Sequence, residues 1–128
     1  MKYLLDTHIL LWMANADSAL SKKVRDILSD ESCDLFVSVA SVWEMAIKIS
    51  LKKLELPVTL DAFVQEQIIN NGIQLLSIKT SHIYLLEELP FFHRDPFDRI
   101  IACQAKKENL TLISHDKAFL KYKVPCIS

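Results

Sequence analysis

The chain alternates short, continuous apolar runs with longer segments whose apolar positions recur every three or four residues. The apolar runs predict buried strands. They are Lys2 to Leu5, "DLFVSV" (34–39), "IQLLSI" (73–78) and "LTLIS" (110–114). A further short run, "VPCIS" (124–128), contains Pro125 and so predicts an edge strand, because proline cannot donate to a strand ladder.

The segments between these runs predict helices with recognisable first residues. Ser21 begins the amphipathic "LSKKVRDILSD", Ser38 or Ser41 begins a helix through Leu51, and Thr59 begins one through Asn70 that Gly72 ends; Thr80 or Ser81 begins a helix ending before Pro90, and Asp95 begins one through about Asn109. Shorter helical turns are expected at 7–13 and at "HDKAFLKY" (115–122). Alternating strands and helices predict an α/β sandwich around a mainly parallel sheet, with residues 1–128 forming one domain.

Composition excludes several classes of function. The formal net charge of −1 gives no overall basic field, although Phe91 to Ser128 has seven Lys/Arg against four Asp/Glu. The single glycine disfavours P-loop and Rossmann nucleotide sites. Three widely spaced cysteines and four histidines show neither disulfide nor metal-ligand spacing, so we expect reduced thiols and a cytoplasmic protein. Asp6 and His8 interrupt the apolar N-terminus, and no run resembles a signal peptide or membrane span.

Four acidic residues stand where strands end or helices begin. Asp6 and Asp116 follow predicted strands, and Glu44 and Asp98 lie in the first turns of helices. Because ligands bind outside the carboxyl ends of parallel strands, we expect these side chains to gather at one edge of the sheet. Clustered carboxylates repel one another unless a cation neutralises them, and hard oxygen ligands suit Mg²⁺ or Mn²⁺.

Each acid also has a plainer interpretation. Asp6 can cap the helical turn that follows it, and Asp116 can be a turn residue. In "DPFD" (95–98), Asp95 can be the N-cap, with Asp98 in the first turn of the same helix. Glu44 can pair with Lys48 four residues later, a contact worth a few tenths of a kcal/mol. The sequence pattern leaves these alternatives open.

Four motifs in order, "LLDTHILLW" (4–12), "SVASVWEMAIK" (38–48), "HRDPFDRIIACQA" (93–105) and "LISHDKAF" (112–119), closely resemble the PIN-domain ribonucleases. Within that family they resemble the VapC-like toxins of bacterial toxin–antitoxin pairs. The resemblance implies a three-layer α/β/α sandwich with about four to five short strands. It places the family's four catalytic and metal-binding acids on Asp6, Glu44, Asp98 and Asp116.

The same resemblance implies a Mg²⁺-dependent endoribonuclease, with Mn²⁺ as an alternative ion, that forms a homodimer and is blocked by a small cognate antitoxin. Secondary site residues are Asp95 and the hydroxyls of Thr7 and Ser114, which would orient water or phosphate; Ser114 stands where the family often has threonine. Arg94, Arg99 and Lys117 are candidate contacts to the RNA backbone, although each can also be an ordinary surface cation.

Two other classes of function remain open from the sequence. One is a different metal-dependent phosphoryl-transfer enzyme, such as a DNA 5′-nuclease. A phosphatase is disfavoured, because Asp6 is followed by "THI" without a second aspartate two residues on. The other is a non-catalytic interaction domain with the same fold, although the presence of all four acids argues against it.

Overall fold

A computed structural model describes residues 1–128 and has five strands in one sheet. The strands are β1 (Lys2–Leu5), β2 (Asp34–Ser38), β3 (Gln74–Leu76), β4 (Thr111–Ile113) and β5 (Cys126–Ile127). Every pairing is parallel, and the strand order is β3-β2-β1-β4-β5. The predicted parallel sheet of four to five short strands is confirmed, and the proline-containing β5 lies at an edge.

The helices also follow the predicted segments closely. They are α1 (Thr7–Ala14), α2 (Lys22–Ser29), α3 (Val39–Ser50), α4 (Leu60–Val64), α5 (Thr80–Leu86) and α6 (Pro96–Glu108). Helix α4 continues as a π-helical turn, Gln65–Ile69, and a 3₁₀ helix covers Lys117–Tyr122. Gly72 has a φ of 72°, the left-handed conformation expected of a residue that ends a helix.

Polar side chains begin most of the helices as the sequence predicts. The side chains of Asp6, Ser21, Ser38 and Asp95 each accept a hydrogen bond from a backbone N–H in the first turn of the helix that follows. Helix α5 differs, since Lys79 precedes its first residue and Thr80 is already helical. The Lys79 N–H donates to Nδ1 of the buried His82 at 3.0 Å, so an imidazole three positions later satisfies the backbone donor that precedes the helix.

Two hydrophobic clusters cover opposite faces of the sheet. Along β1, Tyr3 and Leu5 contact one cluster with α1 to α4, whereas Leu4 contacts the other with α5, α6 and the 3₁₀ helix. Successive strand residues point to opposite faces, and here both faces are covered. This gives the predicted three-layer α/β/α sandwich. None of the helices has the length and apolar character needed to cross a bilayer.

The order of the strands determines where a ligand-binding crevice can form. From β1 the chain proceeds outward through β2 and β3, then returns to the other side of β1 to form β4 and β5. The direction of winding therefore reverses at β1, and the carboxyl ends of β2, β1 and β4 lie side by side. Such a reversal opens a crevice in parallel sheets, and it is where their ligands bind.

Candidate metal centre at the carboxyl ends of the central strands

Asp6 lies at the centre of this crevice, directly after β1. Its Oδ1 accepts the Ile9 N–H at 2.9 Å, and its Oδ2 accepts the hydroxyl of Ser114, which follows β4. Only 4% of Asp6 is exposed. Burial raises the pKa of Asp6, with a smaller contribution from the charge of Glu44, while the bonds from Ser114 and Ile9 oppose the rise. Asp6 is thus both a helix cap and a member of the cluster.

Glu44 reaches the same crevice from α3, which follows β2. The Thr7 hydroxyl donates to Glu44 Oε1 at 2.7 Å and lies 2.9 Å from the Ser41 hydroxyl. The other carboxylate oxygen, Oε2, accepts from Lys48 Nζ at 2.7 Å. The i,i+4 pair expected of a surface helix therefore exists, but Glu44 is only 4% exposed and faces the crevice.

Asp98 and Asp95 lie at the beginning of α6. Asp95 Oδ1 accepts the N–H of Phe97 at 2.8 Å and that of Asp98 at 3.4 Å, so Asp95 is the helix cap. The Asp98 carboxylate is left free to face the other acids. Burial and then the charge of Asp95 raise the pKa of Asp98 to about 7; Glu44 and Asp6 add to the rise and His93 opposes it.

Asp116 approaches from the opposite side, after β4. His93 Nε2 lies 2.6 Å from Asp116 Oδ2 and 3.0 Å from Asp98 Oδ2, so one imidazole nitrogen joins the two carboxylates. Ligand atoms of these three residues all lie within 4.8 Å of one another. Burial acts to raise the pKa of Asp116, but the N–H of Ala118 and the imidazole of His93 donate to its carboxylate and hold the pKa below its usual value.

The two predicted hydroxyls contact acids of the cluster. Thr7 donates to Glu44, and Ser114 donates to Asp6 while accepting the Asp116 N–H at 3.0 Å. Both hydroxyls are almost fully buried. In this arrangement they fix the orientation of carboxylates, whereas the sequence suggested that they would orient water or phosphate.

Two of the three candidate RNA contacts stand beside the cluster. Arg94 is exposed and lines a cleft of about 390 Å³ together with Glu44 and Asp95. Lys117 is exposed and lines a smaller cleft of about 150 Å³ together with Ser114 and Asp116. The acids thus lie between two clefts, each with a cation on its rim.

Arg99 does not reach this surface. It is 7% exposed, and its guanidinium donates to the carbonyls of Leu86, Leu89 and Pro90 at 2.9 to 3.4 Å. The Phe91 ring covers it, with 4.0 Å between the guanidinium carbon and the ring centroid. The prediction that Arg99 contacts RNA is therefore wrong. Its donors already satisfy the last carbonyls of α5 and the loop that follows.

His93 is the site residue that the sequence pattern did not single out. It stands five positions before Asp98 in an irregular loop, without the i,i+3 or i,i+4 spacing that marks ligands on a helix. Its contact with Asp116 spans 23 positions. A histidine immediately before the "RDPFD" segment was the only available signal, and it does not specify a role.

The donor set suits a hard divalent cation. Asp6, Glu44, Asp98 and Asp116 offer carboxylate oxygens with no cysteine among them, and the charges of Asp6, Glu44 and Asp95 all make ionised Asp98 less favourable. Lys48 pairs with Glu44, and the imidazole of His93 lies against Asp98. Four acids with one lysine and one histidine leave negative charge that Mg²⁺ or Mn²⁺ would neutralise.

Comparison with solved structures finds the same fold in several proteins. The chain is similar to VapBC2 of Rickettsia felis bound to a DNA fragment from its promoter, with 15% identity, a TM-score of 0.72, and coverage of 100% of this chain and 98% of that chain. It is similar to VapBC-1 of nontypeable Haemophilus influenzae, with 19% identity, a TM-score of 0.67, and coverage of 100% and 98%. It is also similar to FitAcB of Neisseria gonorrhoeae, with 18% identity, a TM-score of 0.66, and coverage of 98% and 96%.

A search of curated protein sequences finds no match. The family model described as "PIN domain", in contrast, matches residues 3–125, nearly the whole chain. The match includes β2, β3, β4 and all of β1 except its first residue, it ends directly before β5, and it contains each of the four acids. The chain therefore belongs to the PIN domain family.

Proposed function

We propose that this protein is a Mg²⁺-dependent endoribonuclease and the toxin of a toxin–antitoxin pair. The observation that carries the proposal is the position of Asp98: a half-buried carboxylate whose pKa is raised to about 7 among three other acids. Strongly shifted carboxylates in a crevice are typical of functional sites. The carboxylates of such a cluster repel one another, and a bound divalent cation would remove this repulsion.

Asp6 and Asp98 would hold the principal cation, with Glu44 and Asp116 completing its shell directly or through water. When bound, the cation would lower the pKa of a coordinated water and polarise the scissile phosphodiester. Ser114 and Thr7 hold Asp6 and Glu44 in fixed orientations through their hydroxyls. Positioning of this kind supports the affinity and geometry of a metal site.

The two clefts suggest a path for an RNA strand across the acids. The larger one offers the apolar side chains of Ile47, Leu51 and Phe97 together with Lys53 and Arg94. Apolar faces suit nucleobases, and cations suit the phosphates on either side. Lys117 would contact the strand where it leaves through the smaller cleft. Binding that depends on these cations should weaken as salt rises.

Similarity to a solved toxin-antitoxin complex from Klebsiella pneumoniae, with 16% identity and a TM-score of 0.62, supports a protein partner. We extend this to a small cognate antitoxin and to a homodimer of this chain. The rim of the larger cleft has exposed apolar side chains suited to such a contact, including Trp43 at 58% exposure and Leu51 at 58%. Trp43 packs edge-on against Phe97, with 5.0 Å between ring centroids. An antitoxin seated there would cover the entrance to the acids.

The test is a cleavage assay on structured RNA, single-stranded DNA and a chromogenic phosphate ester, with and without Mg²⁺. We expect Mg²⁺-dependent cleavage of RNA alone. Asp98→Asn should reduce the rate on the order of 100-fold or more, because the amide keeps the shape of the carboxyl but loses the charge that attracts the cation.

Asp61→Asn is the matched control, because Asp61 is an exposed acid in the first turn of another helix, α4. It should cleave at the wild-type rate. Full activity of purified Asp98→Asn would refute the metal centre. Cleavage of DNA in preference to RNA would favour a 5′-nuclease, and inactivity of the wild type on every substrate would favour a non-catalytic domain.

A further inference from the structure

His93 is placed where a cation would be expected. Its Nε2 lies 2.6 Å from Asp116 Oδ2 and 3.0 Å from Asp98 Oδ2, between carboxylates that come from different elements of the fold. No lysine or arginine pairs with either carboxylate. The imidazole therefore provides the contact between the beginning of α6 and the turn after β4.

The second ring nitrogen decides which atom carries hydrogen. Nδ1 of His93 accepts the N–H of Asp95 at 3.3 Å, so it presents a lone pair to the backbone. The hydrogen of a neutral imidazole then lies on Nε2, where it is donated to Asp116 Oδ2, with Asp98 Oδ2 3.0 Å from the same nitrogen. A histidine that coordinates a metal through Nε2 has the opposite arrangement, with a lone pair at Nε2 and its hydrogen on Nδ1. The geometry fits a donor to the acids and does not fit a metal ligand.

We propose that His93 is an internal substitute for the metal ion: its Nε2–H donates to Asp116 and lies against Asp98, so that it links the two carboxylates until a divalent cation displaces it. The inference rests on the proposed function, since it concerns a cation at the same acids. It adds a residue that competes with the cation, and it predicts that removing the His93 imidazole strengthens cation binding.

The surroundings of His93 allow such a displacement. The residue lies in the irregular segment between α5 and α6, outside any helix or strand. Its backbone is anchored separately, because the His93 N–H donates to the Tyr122 hydroxyl at 2.8 Å. The ring packs beside Phe119, with 5.8 Å between centroids, and its exposure is intermediate. Rotation of the side chain would break both carboxylate contacts while leaving the backbone in place.

The experiment measures metal binding directly and needs no RNA. Mn²⁺ is titrated into the metal-free protein at fixed pH, and free Mn²⁺ is followed by its electron paramagnetic resonance signal. His93→Ala should bind Mn²⁺ on the order of tenfold more tightly than the wild type, because the ion no longer has to displace a hydrogen-bonded donor from charged acceptors. His93→Phe keeps the ring volume against Phe119, removes the donor, and should show the same gain.

His115→Ala is the matched control. His115 is an exposed histidine next to Asp116, and its ring packs edge-on against Trp12, with 4.9 Å between centroids, making no carboxylate contact. Its Mn²⁺ affinity should equal that of the wild type. Thermal melting of each metal-free variant shows that it is folded, and His93→Phe provides the measurement if His93→Ala does not fold.

The outcomes separate this inference from the proposed function. Weaker Mn²⁺ binding by both His93 variants would show that His93 is a ligand and would overturn the inference while leaving the metal centre intact. Unchanged affinity would overturn it as well. Asp98→Asn tests the centre itself: if this variant binds Mn²⁺ as well as the wild type does, the proposed metal site is wrong, whatever His93 does.

Discussion

Both carboxylate oxygens of Glu44 are occupied by neighbouring side chains, one by the Thr7 hydroxyl and the other by Lys48. Hydrogen bonding to Glu44 raises the pKa of Lys48, with the charges of Asp95 and Asp98 adding to it, while burial opposes the rise. Lys48 is therefore held by the negative charge of the whole cluster. On a solvated helix the Glu44–Lys48 pair would contribute little to stability. Here the Lys48 ammonium neutralises part of the negative charge of the candidate metal site.

This arrangement gives Glu44 and Lys48 opposite predicted effects on the Mg²⁺ requirement. Glu44→Gln removes a charged oxygen, so cleavage should fall by an order of magnitude or more and need more Mg²⁺. Lys48→Ala removes a competing cation, so cleavage should persist with an equal or lower Mg²⁺ requirement.

The measurement is a Mg²⁺ titration of the cleavage rate for the wild type and the two variants. A Glu44→Gln curve that overlays the wild type would leave a centre of three carboxylates. An equal loss of cleavage in Glu44→Gln and Lys48→Ala would mean that the ion pair stabilises α3 and takes no part in metal binding.

At the residue scale, the sequence indicated the acids better than it indicated their partners. Asp6, Glu44, Asp98 and Asp116 were identifiable because each follows a strand or begins a helix, and because family motifs surround them. The contacts of Ser114 with Asp6 and of Thr7 with Glu44 span 108 and 37 positions. Such pairings depend on the register of the sheet, which local patterns do not specify. The roles of His93 and Arg99 could not be predicted either, because their contacts also join positions that are distant in the sequence.

Arg99 shows how one side chain holds two elements in position. Its guanidinium joins the end of α5 and the loop through Pro90 to the first turns of α6, where Asp95 and Asp98 lie. The α5–α6 connection contains Pro90 and no regular structure, so the Arg99 guanidinium supplies the donors that the carbonyls of this connection lack.

We predict that Arg99→Ala lowers the free energy of unfolding by about 3 kcal/mol, since it leaves several carbonyls without a donor and removes the cation–π contact with Phe91. Arg94→Ala, which removes an exposed cation from the same connection, should change it by no more than about 0.5 kcal/mol. Urea denaturation of both variants makes the comparison. Equal stabilities would mean that the Arg99 contacts contribute nothing net.

Elements themselves were largely predictable, because apolar periodicity and capping residues agree along most of the chain. Helix α5 starts at Thr80, one of the two residues predicted, and the fully buried His82 accepts the N–H of Lys79, a contact that the sequence did not indicate. The π-helical turn after α4 had no signal in the sequence, since its residues fit an ordinary helix equally well.

The stability of the whole molecule should depend on the ionisation of Asp98. Its pKa is raised from 3.8 to about 7, so between these pH values the folded protein holds a proton that the unfolded chain has released. Stability falls with rising pH wherever the folded state binds more protons. The metal-free protein should therefore lose stability as pH rises from about 4 to about 7, and Asp6, whose pKa is also raised, should act in the same direction.

Chemical denaturation of the metal-free protein between about pH 4.5 and pH 8 tests this dependence. Asp98→Asn should show a smaller loss over the same range and should exceed the wild type in stability at the upper end. Saturating Mg²⁺ should restore stability to the wild type by mass action and do less for the variant. Parallel pH profiles for the two proteins would contradict the shifted pKa.

The sheet order has a consequence for when the acidic crevice is completed. The central strand β1 is made before its neighbour β4 and the edge strand β5, which lie about a hundred residues later in the chain together with Ser114 and Asp116. Non-local parallel pairing is slow to form and needs both partners present. During synthesis, Asp6 and Glu44 would leave the ribosome before β4, Ser114 and Asp116 do. A growing chain would thus carry no completed acidic crevice until β4, Ser114 and Asp116 have been made and β4 has paired with β1.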